Sequence, residues 1–236
     1  MLELGGSDPF VVLADADIGE AVRVGIASRF QNTGQSCIAA KRFIIEQPIY
    51  DLFCSRFTAA AATLRVGDPF EDATEIGPMA RADLREQLYR QIRDSVAAGA
   101  RLALGGYALD RPGNYFAPTV LADVRPGMPA FDEESFGPLA ALVCAANADD
   151  AVALANHSRY GLGATIFSGD IDRGREIAAT IEAGTLAIGT MLASDPRLPF
   201  GGVKASGFGR ELGRNALLEF ANVQTVRYRR ERARAR

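Results

Sequence analysis

The chain contains little histidine and cysteine for its 236 residues: one histidine, His157, and cysteines at positions 37, 54 and 144. An odd number of widely spaced cysteines without a CxxC pair argues against a disulfide scaffold and against a zinc site. We therefore expect no metal. Thiol enzymes usually take their base from a histidine. A catalytic cysteine in this chain would have to pass its proton to a carboxylate or to water.

The sequence also lacks any apolar run near the roughly 20 residues that span a bilayer, and its N-terminus has no secretory pattern. The net charge of −3 gives no general attraction to nucleic acid or to an anionic membrane. Six arginines occupy residues 227–236, which could contact phosphate or acidic lipid or simply form a solvated tail. We expect a cytoplasmic protein that binds neither nucleic acid nor membrane.

Apolar periodicity predicts an α/β fold in which helices and strands alternate. Either Asp15 or Asp17 is the expected N-cap of the first helix, and Gly67 is expected to stop the second. This alternation favours a mostly parallel sheet that is flanked by helices on both faces. The predicted helices cover residues 15–29, 49–64, 84–96, 149–156 and 172–182. The predicted strands cover residues 42–46, 102–104, 115–124, 139–145, 164–167 and 185–188.

Four short motifs follow one another along the chain. They are LELGG at residues 2–6, NTGQSC at 32–37, EESFGP at 133–138 and PFGGVKASGFGRE at 199–211. Together they closely resemble the NAD(P)-dependent aldehyde dehydrogenase superfamily over essentially the whole chain. Residues 5–10 (GGSDPF) and 193–195 (ASD) most resemble its bacterial succinate-semialdehyde dehydrogenase branch.

The resemblance assigns the chemistry to two residues. Cys37 is the expected nucleophile, which forms a thiohemiacetal and then a thioester, and its own backbone N–H is a candidate donor to the oxyanion. Glu3 is the expected general base for the water that releases the acid. The simpler alternatives are a small buried cysteine and a solvated terminal acid, and Met1 leaves Glu3 almost no preceding chain to hold it.

The resemblance also implies how the cofactor and the substrate bind. Glu134 matches the glutamate that binds the nicotinamide ribose, and Phe136 matches the aromatic residue beside the nicotinamide of NAD or NADP. Ser194 matches a loop position that holds the distal carboxylate of semialdehydes, and Arg197 is a candidate bidentate partner for that group. The glycines at positions 201, 202, 207 and 209 favour a tight backbone path rather than a phosphate site.

In this superfamily the catalytic glutamate lies midway along the chain, whereas here it is the third residue. The resemblance therefore implies that residues 1–210 form the catalytic domain and that the N-terminal cofactor-binding domain is absent. Residues 211–236 would form a C-terminal helix, an oligomerisation strand near 223–228 and the basic tail. The full-length enzyme would be a homo-oligomer that oxidises a small aldehyde. The alternative is a non-catalytic fragment that acts only through subunit contacts.

Overall fold

The computed structural model describes residues 1–229 as eleven strands and seven helices. Residues 230–236, which include most of the predicted basic tail, lie outside the described residues. Among residues 1–229, no helix is both long enough and apolar enough to cross a bilayer. The strands are β1 (Leu2–Glu3), β2 (Pro9–Val12), β3 (Arg42–Glu46), β4 (Arg101–Leu104), β5 (Thr119–Ala122), β6 (Leu139–Ala145), β7 (Tyr160–Gly161), β8 (Gly163–Phe167), β9 (Thr185–Ile188), β10 (Val203–Lys204) and β11 (Gly207–Phe208). The helices are α1 (Ile18–Phe30), α2 (Gln47–Ala62), α3 (Ala82–Ala97), α4 (Pro129–Asp132), α5 (Ala148–Asn156), α6 (Ile171–Ala178) and α7 (Gly213–Glu219).

Seven of the strands form one sheet in the order β4-β5-β6-β3-β2-β8-β9. Every neighbouring pair is parallel except β4 and β5, which are antiparallel. Side chains alternate across β2, so that Phe10 packs into one core cluster and Val11 into the cluster on the other face. This arrangement confirms the α/β prediction of a mostly parallel sheet between two layers of helices.

Several element boundaries differ from the prediction. The N-cap of α1 is Asp17, whose side chain accepts a hydrogen bond from the Glu20 backbone N–H. Helix α2 ends at Ala62, before the predicted stop at Gly67, because Thr63 caps its last turn. The strand predicted over residues 115–124 is only Thr119–Ala122.

Strand β2 lies in the interior of the sheet, between β3 and β8, but the sequence analysis does not predict it. The strand predicted near residues 223–228 does not form within the single chain. A strand requires a hydrogen-bonded partner, so this segment remains a prediction about an assembly. The division at residue 210 also remains a prediction.

Candidate active site

The candidate residues converge at one edge of the sheet. Strands β2, β3, β6 and β8 are parallel neighbours, so their amino ends lie along the same edge. The segment with Glu3 precedes β2, the segment with Cys37 precedes β3, and the segment with Glu134 precedes β6. The sheet therefore gathers three motifs that are far apart in the sequence.

The Glu3 segment is held in place by the glycine-rich motif near the C-terminus. Strand β1 pairs antiparallel with β11, and Glu3 lies opposite Gly207. Ser206 extends this pairing, because its hydroxyl donates to the Gly5 carbonyl at 2.7 Å and accepts from the Gly161 N–H at 3.0 Å. The expectation that Met1 leaves Glu3 without support is therefore wrong for this chain, since the support comes from residues 206–208.

The Glu3 carboxyl group lies beside a second acid. Partial burial raises its pKa above the usual range, and charge repulsion and a hydrogen bond with Glu211 raise it further. Glu211 is itself fixed by a pair of backbone hydrogen bonds with Phe200. A carboxylate with a raised pKa is a stronger base than a solvated one, which suits proton abstraction from water.

Two glycines allow the motifs to approach each other closely. A Cβ atom on Gly6 would lie 2.8 Å from the Cys37 carbonyl oxygen. Gly207 has a φ of 118° and faces the Leu2 carbonyl, so a side chain there would clash with the backbone of β1. The predicted tight backbone path is thus present, and it joins the Glu3 strand to the cysteine loop.

The cysteine loop begins with an unusual left-handed turn. Asn32, Thr33 and Gly34 have φ values of 48°, 59° and 73°. A β-branched threonine rarely adopts this conformation, and such strain persists only where surrounding contacts enforce it. The Thr33 hydroxyl exchanges hydrogen bonds with both backbone groups of Gly77, and the Asn32 amide donates to the Gln35 carbonyl at 2.9 Å.

Arg29 links the cysteine loop to the segment that contains Glu134. Its side chain is fully buried at the end of α1 and donates to four backbone carbonyls. Two of these carbonyls, Gly34 and Ala40, flank Cys37. The other two belong to Ser135 and Gly137. One guanidinium group thereby sets the spacing between the two motifs.

We predict that Arg29→Leu lowers the unfolding free energy by at least about 3 kcal/mol, because it leaves several buried carbonyls without a partner. Arg23→Leu is the matched control on the same helix. Its guanidinium is exposed and pairs only with Glu20, so that variant should unfold almost like the wild type. Urea denaturation followed by circular dichroism measures both values. Equal midpoints for the two variants would contradict the bridging role of Arg29.

Cys37 is half-buried, whereas Cys54 is buried and Cys144 is exposed. Burial raises the pKa of the Cys37 thiol, and Asp8 and Glu134 also raise it. Lys41 and a hydrogen bond from the Ile38 N–H act in the opposite direction. Burial also raises the pKa of the Cys144 thiol, so the pKa shifts do not distinguish the two thiols, and the greater exposure of Cys144 does not favour selective alkylation of Cys37.

A group of buried charges lies behind the cysteine loop. Asp8, Lys41 and Arg42 are all nearly inaccessible to solvent. Burial raises the pKa of Asp8 to about 6, although Lys41 and Arg42 partly compensate, and one Asp8 oxygen accepts from the Gly163 N–H. Arg42 donates to the Ser7 carbonyl and to the last carbonyls of α5. These groups make the base of the site rigid.

A cleft of about 500 Å³ opens beside Glu134. One Glu134 oxygen accepts a hydrogen bond from the Gly6 N–H at 3.0 Å and lies 4.0 Å from the Lys41 ammonium. The carboxylate remains about 20% exposed toward the cleft, and the half-buried Phe136 ring lines it. The other lining residues are Leu84, Gln87, Asp132, Glu133, Arg159 and Tyr160.

The loop with Ser194 and Arg197 forms local contacts. Both residues are exposed, and the Arg197 guanidinium forms a two-point ion pair with Asp195. Hydrogen bonds of the described residues tie this loop to Gly213 rather than to the cysteine loop. A substrate carboxylate at Arg197 would therefore have to compete with Asp195.

Several residues at the site were not found from the sequence, namely Asp8, Arg29, Lys41 and Glu211. Arg29 follows Val22 and Gly25 at helical spacing, which places it on the buried face of α1. A charged residue on the buried face of a helix indicates that buried backbone carbonyls accept its hydrogen bonds. Lys41 and Arg42 give a similar signal, because they directly precede the apolar residues 43–45 of β3.

The Aldehyde dehydrogenase family model matches residues 1–226 of the chain. The chain belongs to the aldehyde dehydrogenase family. This membership confirms the resemblance of the four motifs. Two similar curated relatives are named as succinate-semialdehyde dehydrogenases.

The chain is 55% identical to a succinate semialdehyde dehydrogenase of Escherichia coli (NAD(P)+, Sad), over 96% of this chain and 49% of that protein. It is 49% identical to a probable succinate-semialdehyde dehydrogenase (NADP+) of Synechocystis, over 96% and 50%. The crystal structure of succinic semialdehyde dehydrogenase from Streptococcus pyogenes with NADP+ superimposes with a TM-score of 0.91 at 39% identity, over 94% of this chain and 49% of that one. The chain thus spans about half the length of the aldehyde dehydrogenases that it matches.

Proposed function

We propose that this chain is the catalytic half of an NAD(P)-dependent aldehyde dehydrogenase that oxidises succinate semialdehyde to succinate. The main support is the approach of Gly6 to the Cys37 carbonyl, which brings the Glu3 strand against the nucleophile loop. The same strand is fixed by β11, so the base and the nucleophile belong to one rigid unit. The whole reaction also requires the half of the relatives that this chain does not cover.

In the first step, the Cys37 sulfur attacks the aldehyde carbon and loses its proton to a neighbouring base or water. A carbon–sulfur bond forms, and the carbonyl oxygen becomes the oxyanion of a thiohemiacetal. The Cys37 backbone N–H is one proposed donor to that oxyanion. Burial raises the pKa of the Cys37 thiol, which lowers the fraction of thiolate available for this attack.

Glu134 and Phe136 are the residues that would hold the nicotinamide end of the cofactor. The donor set fits, because a partly exposed carboxylate can accept from ribose hydroxyls and an aromatic ring can pack against the nicotinamide. When bound, the nicotinamide supplies the hydride acceptor that converts the thiohemiacetal on Cys37 to a thioester. The E. coli relative is named for NAD(P)+ and the Synechocystis relative for NADP+, so both cofactors are candidates.

In the second step, Glu3 accepts a proton from water while the water oxygen attacks the thioester carbon. The carbon–sulfur bond then breaks, the acid leaves, and the proton that Glu3 took from water passes to the Cys37 thiolate. The raised pKa of Glu3 increases its basicity for this step.

Succinate semialdehyde is proposed as the substrate because the relatives are named for it. Ser194 and Arg197 are the proposed partners of its distal carboxylate, with Arg197 exchanging Asp195 for the substrate. We further propose that the full-length enzyme is cytoplasmic and forms a homo-oligomer through residues 223–228.

The alternative is a non-catalytic fragment that acts through subunit contacts. Its support is a set of exposed apolar side chains around the β1–β11 pair, including the cross-strand pair Leu2 and Phe208. Such a surface needs a cover, whether that cover is the upstream half that the relatives contain or another subunit. The two functions differ in whether joining this chain to that upstream half produces activity.

The test is a chimera in which residues 1–226 replace the matching half of the E. coli relative. We expect the chimera to reduce NAD or NADP with succinate semialdehyde. The 236-residue chain alone should reduce neither and should bind NAD only weakly, because small misplacements of the nicotinamide reduce the rate greatly. Absorbance assays, calorimetry and light scattering measure these properties.

The upstream half of the E. coli relative, expressed alone, is the control for activity that does not come from this chain. A folded chimera that oxidises no aldehyde, under conditions where the parent enzyme is active, would favour the non-catalytic fragment. Micromolar NAD binding by a monomeric 236-residue chain would contradict the half-enzyme proposal.

A further inference from the structure

The buried Lys41 ammonium group binds the nucleophile loop from behind. Its side chain is completely inaccessible to solvent. The Nζ atom donates to the carbonyls of Ser36 at 3.0 Å, Cys37 at 2.8 Å and Ala39 at 3.0 Å. An ammonium group has three protons, so these three carbonyls use all of its donors. No other lysine in the described residues is enclosed in this way.

Two of these carbonyls belong to the peptide groups on either side of Cys37. A trans peptide is planar, and its carbonyl and N–H point in opposite directions. A lysine that fixes the Cys37 carbonyl therefore aims the Ile38 N–H to the other side, where it hydrogen-bonds the Cys37 sulfur. Fixing the Ser36 carbonyl aims the Cys37 N–H in the same manner.

The surrounding charges keep Lys41 ionised near neutral pH. Burial lowers its pKa to about 8, while the acids Asp8 and Glu134 oppose that shift and Arg29 adds to it. The Glu134 carboxylate is 4.0 Å from Nζ. A positive charge on the carbonyl side of a peptide polarises the group and strengthens its N–H as a donor.

We propose that Lys41 is a positioning residue for the nucleophile, which orients and polarises the Ile38 N–H toward the Cys37 thiolate and the Cys37 N–H toward the oxyanion. The thiolate part concerns the chain itself. The oxyanion part rests on the proposed dehydrogenase function. The two parts can therefore be tested separately.

The first test measures alkylation of Cys37 by iodoacetamide across a range of pH in the 236-residue chain, with peptide mass mapping. Lys41→Met removes the charge at nearly constant length, and Lys41→Gln removes it but keeps amide donors. Loss of a nearby opposite charge raises a thiol pKa by about one unit. A more basic thiolate is intrinsically more reactive, so the net rate at pH 7, where Lys41 is still mostly charged, should fall about threefold.

Cys144 provides an internal reference in every sample, because it is exposed and its charged neighbours are Asp51, Asp123 and Asp150. Lys204→Met is the matched control. Lys204 also donates to two backbone carbonyls, but these belong to Asn156 and Ser158 and not to the cysteine loop. Slower alkylation of Cys37 relative to Cys144 at pH 7, in either Lys41 variant, would support the proposal. An unchanged Cys37 profile would overturn it, and so would a parallel acceleration of all three thiols, which indicates a purely structural lysine.

The second test uses the active chimera. Lys41→Met should lower kcat at least about tenfold with little change in KM for the cofactor, because the lost donors act on the thiolate and the oxyanion. A change confined to KM would overturn the oxyanion part. An inactive wild-type chimera would instead contradict the dehydrogenase function and would leave the alkylation result to decide the thiolate part.

Discussion

Cys37→Ala is expected to abolish aldehyde oxidation in the chimera, with a loss of about 10⁴-fold or more, which is typical when a covalent nucleophile is removed. The methyl group cannot form the carbon–sulfur bond on which both later steps depend. The half-buried position should accept alanine, so the variant should fold normally. Absorbance of the reduced cofactor measures the rate, and thermal denaturation checks the fold.

Cys144→Ala is the matched control for this prediction. Cys144 is exposed near the end of β6, whereas the proposed site lies before the start of that strand. We therefore expect its activity to stay close to that of the wild type. Comparable losses in the two cysteine variants, or substantial activity without Cys37, would remove Cys37 as the nucleophile.

Glu3→Gln is expected to separate the two chemical steps. Glutamine preserves the shape and the β1–β11 pairing but cannot accept the proton of water. Steady-state turnover should fall by about 10²–10⁴-fold, the usual contribution of a general base. The first burst of reduced cofactor should persist, because the thioester forms before water is activated. Rapid quenching and mass spectrometry should then find an acyl group on Cys37.

Glu20→Gln serves as the control, because Glu20 is partly exposed on α1 and, among the described residues, forms an ion pair only with Arg23. It should change neither the burst nor the turnover. If Glu3→Gln turns over normally, Glu3 is not the base. If the burst disappears as well, Glu3 acts at or before formation of the thioester.

Local patterns were sufficient to predict most of the secondary structure, but they do not reveal the interior strand β2. The repeat of Leu84, Leu88 and Ile92 predicted α3 correctly, although its buried face also contains Gln91 and Ser95 and leaves Val96 exposed. A strict four-residue step drifts from the 3.6-residue period of a helix, which explains the difference. Strand β2 has only four residues and is buried on both faces, so it has no alternation that would identify it.

The motifs identified the reactive side chains, but not the groups that support them. Glu3, Cys37 and Glu134 stand out because they occur in recognisable sequence neighbourhoods. Arg29 and Lys41 act through backbone carbonyls, and those are brought together only by the folded chain. Charged residues are usually solvated, so sequence alone favours the wrong environment for both.

The ion pair between Arg197 and Asp195 is another feature that the sequence left open. The two residues are only two positions apart, and the sequence analysis predicts Arg197 as the partner of the substrate carboxylate. In the structure, the Arg197 guanidinium already donates two hydrogen bonds to the Asp195 carboxylate. The choice between a protein acid and a substrate acid depends on loop geometry, which composition does not determine.

The pairing of β1 with β11 has a consequence for the biosynthesis of the protein. Gly5 and Ser206, which hydrogen-bond beside this pair, are 201 positions apart in the sequence. A ribosome adds roughly 5–20 residues per second. It would therefore reach β11, which holds the Glu3 strand, about 10–40 s after it has made Glu3. An interrupted translation product that ends before residue 207 would carry Cys37 and Glu3 but would lack β11, the partner of the Glu3 strand. The proposed base would therefore be held in place only after residue 208 has been translated.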